Sequence, residues 1–161
     1  MLPLEGDKKP VPFLVTEFKE HDARFSPDGH WVAYASNESG QYEVYVRSFA
    51  MNSAGTAVEV GGKWQISNGS GFEPRWRGDG QELYYHAQNG QVMAVEIATN
   101  PEFKPGKPQP LGFVSGVDTG TLWDSTADGR RFLVAVPKRA AKNSGPEPYT
   151  VILNWQAGLK K

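Results

Sequence analysis

In a chain without cysteine, chemistry has to come from histidines, carboxylates, hydroxyls and basic side chains, and few of these stand at spacings that reactions use. The three histidines, His21, His30 and His86, are scattered, with no HExxH pair and no carboxylate at ligand spacing, so no metal site is expected. They read as surface or turn residues. The stretch NGSGF around Ser70 has Asn68 where a nucleophile elbow needs its first glycine, so it reads as a loop and not as a hydrolase motif. A Gly-rich phosphate loop, an HRD segment and a DFG triplet are all missing, which leaves no kinase chemistry to assign. Catalytic residues and cofactors are therefore expected to be none. What remains is a polar set in or beside the segments TEFKEHDA, SNGSGFEP and GVDTGTLW: His21, Asp22, Arg24, Glu73, Arg75 and Asp124. These six form a candidate ligand rim if the elements that carry them converge.

Bulk composition narrows the partners. The 161 residues carry 17 basic and 18 acidic side chains, a net charge of -1, which gives no long-range field to gather nucleic acid. The opening MLPLEGDKKPVPFL lacks the basic start and apolar run of a signal peptide, and no later stretch approaches a membrane span. Neither nucleic-acid binding nor direct membrane insertion is expected. Asn37-Glu38-Ser39 and Asn68-Gly69-Ser70 fit the glycosylation triplet, a pattern that recurs by chance.

The elements that must position the rim announce themselves by repetition. FSPDGHWVAY, WRGDGQELYY and STADGRRFLV share an Asp-Gly pair, and Asp28, Asp79 and Asp128 recur at intervals of 51 and 49 residues. An aromatic stands fifteen residues before each Asp: Phe13, Trp64 and Phe113. Short runs rich in Val, Tyr, Phe and Trp follow each pair, punctuated by Gly, Pro and Asn, which is how strands joined by turns are written. At each pair the backbone must reverse. Gly29, Gly80 and Gly129 can take positive φ, and the preceding Asp can accept backbone N–H groups.

An all-β fold follows, with four antiparallel strands per unit. The first unit is expected to hold Asp22–Ser26, Trp31–Ser36, Tyr42–Phe49 and Lys63–Ser67, and the second Phe72–Arg77, Glu82–Ala87, Gln91–Ile97 and Pro110–Ser115. The third holds Thr121–Thr126, Arg131–Val136 and Tyr149–Trp155. Units of this size are the blades of a β-propeller, so the division is 22–67, 68–115 and 116–161, the last lacking its outer strand, with 1–21 ending a preceding blade. In that preceding blade Phe13–Thr16 matches a fourth strand and Leu2–Leu4 the tail of a third. Matched residues such as Phe25 and Trp76, Tyr34 and Tyr85, or Tyr45 and Val95 would interlock between blades. The Pro- and Lys-rich stretches Asn100–Pro110 and Pro137–Pro148 read as extended, solvated connections. Alternation along the first strand of each unit would turn Arg24 and Arg75 away from the faces buried by Phe25 and Trp76.

ARFSPDGHWVAY and EPRWRGDGQELYY resemble the TolB-like, WD40-like PD40 propeller repeat, an aromatic followed by Ser-Pro-Asp-Gly and a strand. LPLEGDKKPVPFL, GKWQIS, DGRRFLV and the terminal VILNWQAGLKK are similar, more narrowly, to the C-terminal propeller region of bacterial serine/threonine protein kinases. That resemblance implies a six-bladed ring of which this chain is the last half, on the periplasmic or extracytoplasmic side of a membrane. It brings no catalytic residue with it.

The function expected on this basis is a non-catalytic binding or sensory module for a protein or peptide ligand, or for the remaining blades of a longer chain. A substrate-gating propeller of a prolyl-oligopeptidase-like peptidase and a TolB-like periplasmic assembly protein are the alternatives. The ending NWQAGLKK does not read as a linker to a hydrolase. Open blade edges would also favour self-association.

Overall fold

In the computed structural model, residues 9–52, 58–114 and 123–134 are described, and among them every regular element is a strand. Strands β1 (Glu20–Phe25), β2 (Trp31–Ser36), β3 (Glu43–Met51) and β4 (Val58–Gln65) form one antiparallel sheet in sequence order. A second sheet holds β5 (Phe72–Trp76), β6 (Glu82–His86) and β7 (Gln91–Ala98), with the far edge of β7 shared by β8 (Lys104–Pro105) and β9 (Gln109–Val114). Strands β10 (Trp123–Ser125) and β11 (Phe132–Val134) make a hairpin that begins a third unit. The expected strand Tyr149–Trp155, the tail Leu2–Leu4 and the connection Pro137–Pro148 lie outside the described residues.

Alternation along β6 decides how the sheets pack. Leu83 and Tyr85 face the first sheet, where they bury against Ala33, Val44, Val46 and Ile66, while Tyr84 points the other way onto Trp123 and Phe132 of the hairpin. The second sheet is thus covered on both faces. Small Ala33, fully buried in β2, leaves room in that core for the larger side chains of β6, and burial recovers about 1.5–3 kcal/mol for each large apolar side chain.

The three Asp-Gly turns are built alike. Gly29, Gly80 and Gly129 have φ of 73°, 73° and 66°, and each donates its N–H to the carbonyl three residues earlier, Ser26, Arg77 and Thr126. The carboxylates of Asp28, Asp79 and Asp128 accept the N–H of His30, Gln81 and Arg130 at 3.0–3.1 Å. The side chain two residues before each Asp closes the clasp: Ser26 and Thr126 through hydroxyls, Arg77 through Nε at 2.8 Å. Successive turns also nest. The Gly78 N–H donates to Ala127 O at 2.7 Å, which joins the second turn to the third.

Several expectations need correction. Residues 13–16 form no strand; Phe13 instead leans on Tyr34 and Phe49 as a loose cover, and Val15 is 83% exposed. β4 starts five residues before the expected Lys63, because pairing continues past a bulge between Arg47 and Phe49. The stretch Asn100–Pro110 is not a solvated connection. Phe103 is 6% exposed and wedges between Trp31 and Trp64, each ring centroid 4.6 Å away, and Lys104–Pro105 pairs with β7. Proline and lysine set the composition there, but one aromatic sets the packing. His86 is buried in β6, and burial holds its pKa below the ordinary histidine value, so it is not a surface residue.

Candidate functional site

The first strands of the three units, β1, β5 and β10, present their residues to one another at one end of the sheets. β1 and β5 each carry a bulge, between His21 and Arg24 and between Phe72 and Arg75. At these bulges Asp22 and Glu73, six residues before their turn aspartates, take the left-handed conformation with φ of 57° and 51°, unusual for residues with a Cβ. The bulge resets the alternation. Two residues later, Arg24 and Arg75 both turn into a shared cleft of about 490 Å³, together with Asp124 from β10.

Arg24, Arg75 and Asp124 stand four residues before Asp28, Asp79 and Asp128, so one repeat position supplies all three polar walls. Phe25, Pro27, Trp76 and Trp123 supply the apolar ones. Arg75 is the best-held of the charged groups: it donates to Pro74 O at 3.0 Å and lies 5.6 Å from the Trp123 ring centroid, a cation–π distance. Its Nε is 3.8 Å from Asp124, an ion pair too long for a hydrogen bond, and Asp124 is well exposed and already accepts the Ser125 N–H. Burial lowers the Arg75 pKa, and the positive charge of Arg24 adds to that effect. Arg24 itself is exposed, with a weak 3.4 Å contact to Ala23 O.

The other three expected rim residues lie off the lining of this cleft. His21 and Asp22 pair with each other at 2.7 Å, His21 meeting Tyr42 edge-on. Glu73 is half-buried; loss of solvent raises its pKa, and the nearby Asp22 charge raises it further. One of its oxygens and the Trp123 indole nitrogen are both buried without a hydrogen-bond partner, although the indole is close enough to favour the Glu73 anion. The rim therefore divides into an outer set, Arg24, Arg75 and Asp124, and an inner set, His21, Asp22 and Glu73.

Phe25 departs from its expected role. Its counterpart Trp76 packs against the core between the two sheets, but Phe25 is 51% exposed and touches Phe49 at 4.9 Å. Among the described residues no sheet covers that side of β1.

Sequence reasoning missed Glu43. This carboxylate is 1% exposed, yet it is fully satisfied: Gln41 Nε2 donates at 2.8 Å, the N–H groups of Gly69 and Ser70 at 2.9 Å each, and the Ser67 hydroxyl to the second oxygen. Glu43 thereby fixes the 67–71 loop that leads into β5 and its bulge. Its partners are 24–27 residues away, apart from Gln41, so no local spacing could have marked it. Beside this loop lies a second cleft of about 430 Å³, edged by Asn68, Ser70, Gln88, Asn89 and Gln91 with Tyr85 at its wall. Burial, aided by the Glu43 charge, pushes the Tyr85 phenol up to about 12.

No family model matches the chain, and no curated protein matches it significantly in sequence. No cluster of metal-ligating side chains occurs among the described residues. The cleft brings together a held guanidinium, Arg75, an exposed one, Arg24, the exposed carboxylate of Asp124 and aromatic walls.

Proposed function

We propose that this chain is a non-catalytic ligand-binding or sensory module made of β-propeller blades, three here and six in the full ring, carried at the C-terminal end of a bacterial serine/threonine protein kinase. One observation carries the binding reading: residues at a single repeat position, Arg24, Arg75 and Asp124, come from three successive first strands to one aromatic-walled cleft. Propellers gather ligands where their innermost strands meet, and equivalent positions converging at one end is what that geometry requires. The sheet-on-sheet burial of Leu83 and Tyr85, with Tyr84 facing the next unit, supports blades in series.

The kinase attachment rests on the resemblance of LPLEGDKKPVPFL, GKWQIS and VILNWQAGLKK. In that setting the module would lie outside the cytoplasm and report the occupancy of its cleft to the kinase. Reading the coding sequence on either side discriminates the alternatives: a kinase and a membrane span upstream support the proposal, a hydrolase downstream supports a gating propeller, and a secretion signal alone a TolB-like assembly protein.

Binding is tested by thermal-shift measurement of the intact chain against a panel of short peptides, including cell-wall-derived ones. At least one class should raise Tm in the native chain and leave Arg75→Glu unmoved. A flat response across the panel, or equal responses in both proteins, would overturn the assignment.

A further inference from the structure

Resting on the binding reading above, we infer that the cleft between β1, β5 and β10 recognises a carboxylate that stands next to an apolar group, as in a peptide ending in a hydrophobic residue. Among the described residues, two guanidinium groups, Arg24 and Arg75, line it, against the single carboxylate of Asp124. Asp124 approaches Arg75 only to 3.8 Å, and Asp22 and Glu73 are not among the lining residues. Both arginines therefore keep donors for an incoming anion.

Arg75 is prepared for this task. Its side chain is only 18% exposed, bonded to Pro74 O and set beside the Trp123 ring, so little rotamer freedom is left to lose when a partner binds. A guanidinium presents parallel N–H donors that match the two oxygens of a carboxylate, a fit that a lysine ammonium cannot reproduce. Arg24, exposed and loosely held, can swing onto the same anion and relieve the repulsion between the two cations. The remaining walls, Phe25, Pro27 and Trp76, are apolar, and Phe25 is half open to water. A ligand whose apolar group lies against Pro27, Trp76 and Trp123 gains hydrophobic contact that a bare inorganic anion does not.

Asp124 occupies the place of a resident competitor. It points a negative charge into the cleft without completing a hydrogen bond to Arg75, so an arriving carboxylate must displace or outbid it. Removing that charge should help an anionic ligand and do nothing for a neutral one.

The test is titration of the intact chain, followed by tryptophan fluorescence and calorimetry, with acetyl-Leu-Phe carrying a free carboxylate, its C-terminal amide, and acetyl-Asp-Phe-amide. The free acid should bind at least ten-fold more tightly than the amide. Arg75→Gln should weaken it at least ten-fold, and Asp124→Asn should strengthen it two- to five-fold. Should Arg75→Gln not fold, Arg24→Gln at an exposed position should still weaken binding several-fold. Binding of acetyl-Asp-Phe-amide in place of the free acid would assign the carboxylate to a side chain and support the same chemistry. Equal binding of acid and amide would sink the carboxylate inference while leaving a binding module intact. Failure of all three ligands would also sink it, and the peptide panel above then decides the broader reading separately.

Discussion

The indole N–H of Trp76 donates to the backbone carbonyl of Arg24 at 3.2 Å, across 52 residues of chain. It ties the end of β5 to the end of β1, at the lip of the cleft that both strands line. Replacing Trp76 by Phe removes the donor together with part of the indole's packing against the core, so the loss should be at least about 0.5–1.5 kcal/mol, the hydrogen bond's own share. Urea unfolding would measure it. The same substitution should loosen Arg24 and weaken any cleft ligand more than its stability effect alone would require.

The Asp-Gly turns allow a graded test of backbone against packing. At Gly29 an added Cβ meets open space, so Gly29→Ala should cost only the left-handed strain, about 1–2 kcal/mol. At Gly129 the same Cβ would collide with the Tyr84 hydroxyl and come within 2.8 Å of Arg77 Cδ, adding a clash to the strain. Gly129→Ala should be the worse of the two. Gly78 has an ordinary φ, but a Cβ there would lie 2.8 Å from Ala127 O, so Gly78→Ala should disrupt the nesting of the second and third turns. Equal losses at Gly29 and Gly129 in denaturant titrations would contradict this ordering.

Phe103 joins the outer edge of the second sheet to two tryptophans of the first. Phe103→Ala should destabilise by about 3–5 kcal/mol, the usual range for emptying a buried aromatic site. Emission should shift to the red as Trp31 and Trp64 gain water. An unchanged spectrum with unchanged stability would mean the segment is the solvated connection that its composition suggests.

That segment marks where local pattern stopped being informative. The strands and the Asp-Gly turns were legible because alternation and positive φ are short-range demands, written within a few residues of each other. Arg24 and Arg75 could be nominated as cleft residues from register, although the actual cause is a bulge at Asp22 and Glu73 that no residue type announces. Phe103 and Glu43 take their roles from distant partners. Phe25 kept a core residue's identity in a half-exposed place, because burial there depends on what lies beside β1 and not on β1 itself.

Glu43 should be the most sensitive polar position among those described. Glu43→Ala would strand the buried N–H of Ser70 and take a partner from the more exposed N–H of Gly69, and a buried bond left unmade costs about 1–3 kcal/mol. A loss of at least about 1–3 kcal/mol is expected, read by thermal or chemical unfolding. Glu43→Gln keeps one oxygen as acceptor for these groups and should be milder. Since Glu43 sets the loop before β5, the alanine variant should also disturb the cleft. Ligand binding that survives Glu43→Ala at full strength in a folded protein would contradict the positioning role.

Glu73 gives a pH dependence whose sign follows from its surroundings. Loss of solvent and the Asp22 charge raise its pKa above the ordinary 4.5, so the folded chain keeps a proton that the unfolded chain has released. Between 4.5 and the raised folded value the native state binds more protons, and stability falls as pH rises through that window. Glu73→Gln cannot lose a proton and should escape the loss. Native and variant proteins should unfold at nearly the same temperature below pH 4.5, with the variant more stable at neutral pH, where each kcal/mol corresponds to about 2–4 °C in Tm. Asp28, Asp79 and Asp128 work in the opposite direction, because their turn hydrogen bonds hold them below 3.8, but both proteins share them and the difference cancels their effect. A variant less stable than the native chain at neutral pH would mean that the ionised Glu73 is held by its neighbours, with His21 and Arg75 outweighing the burial.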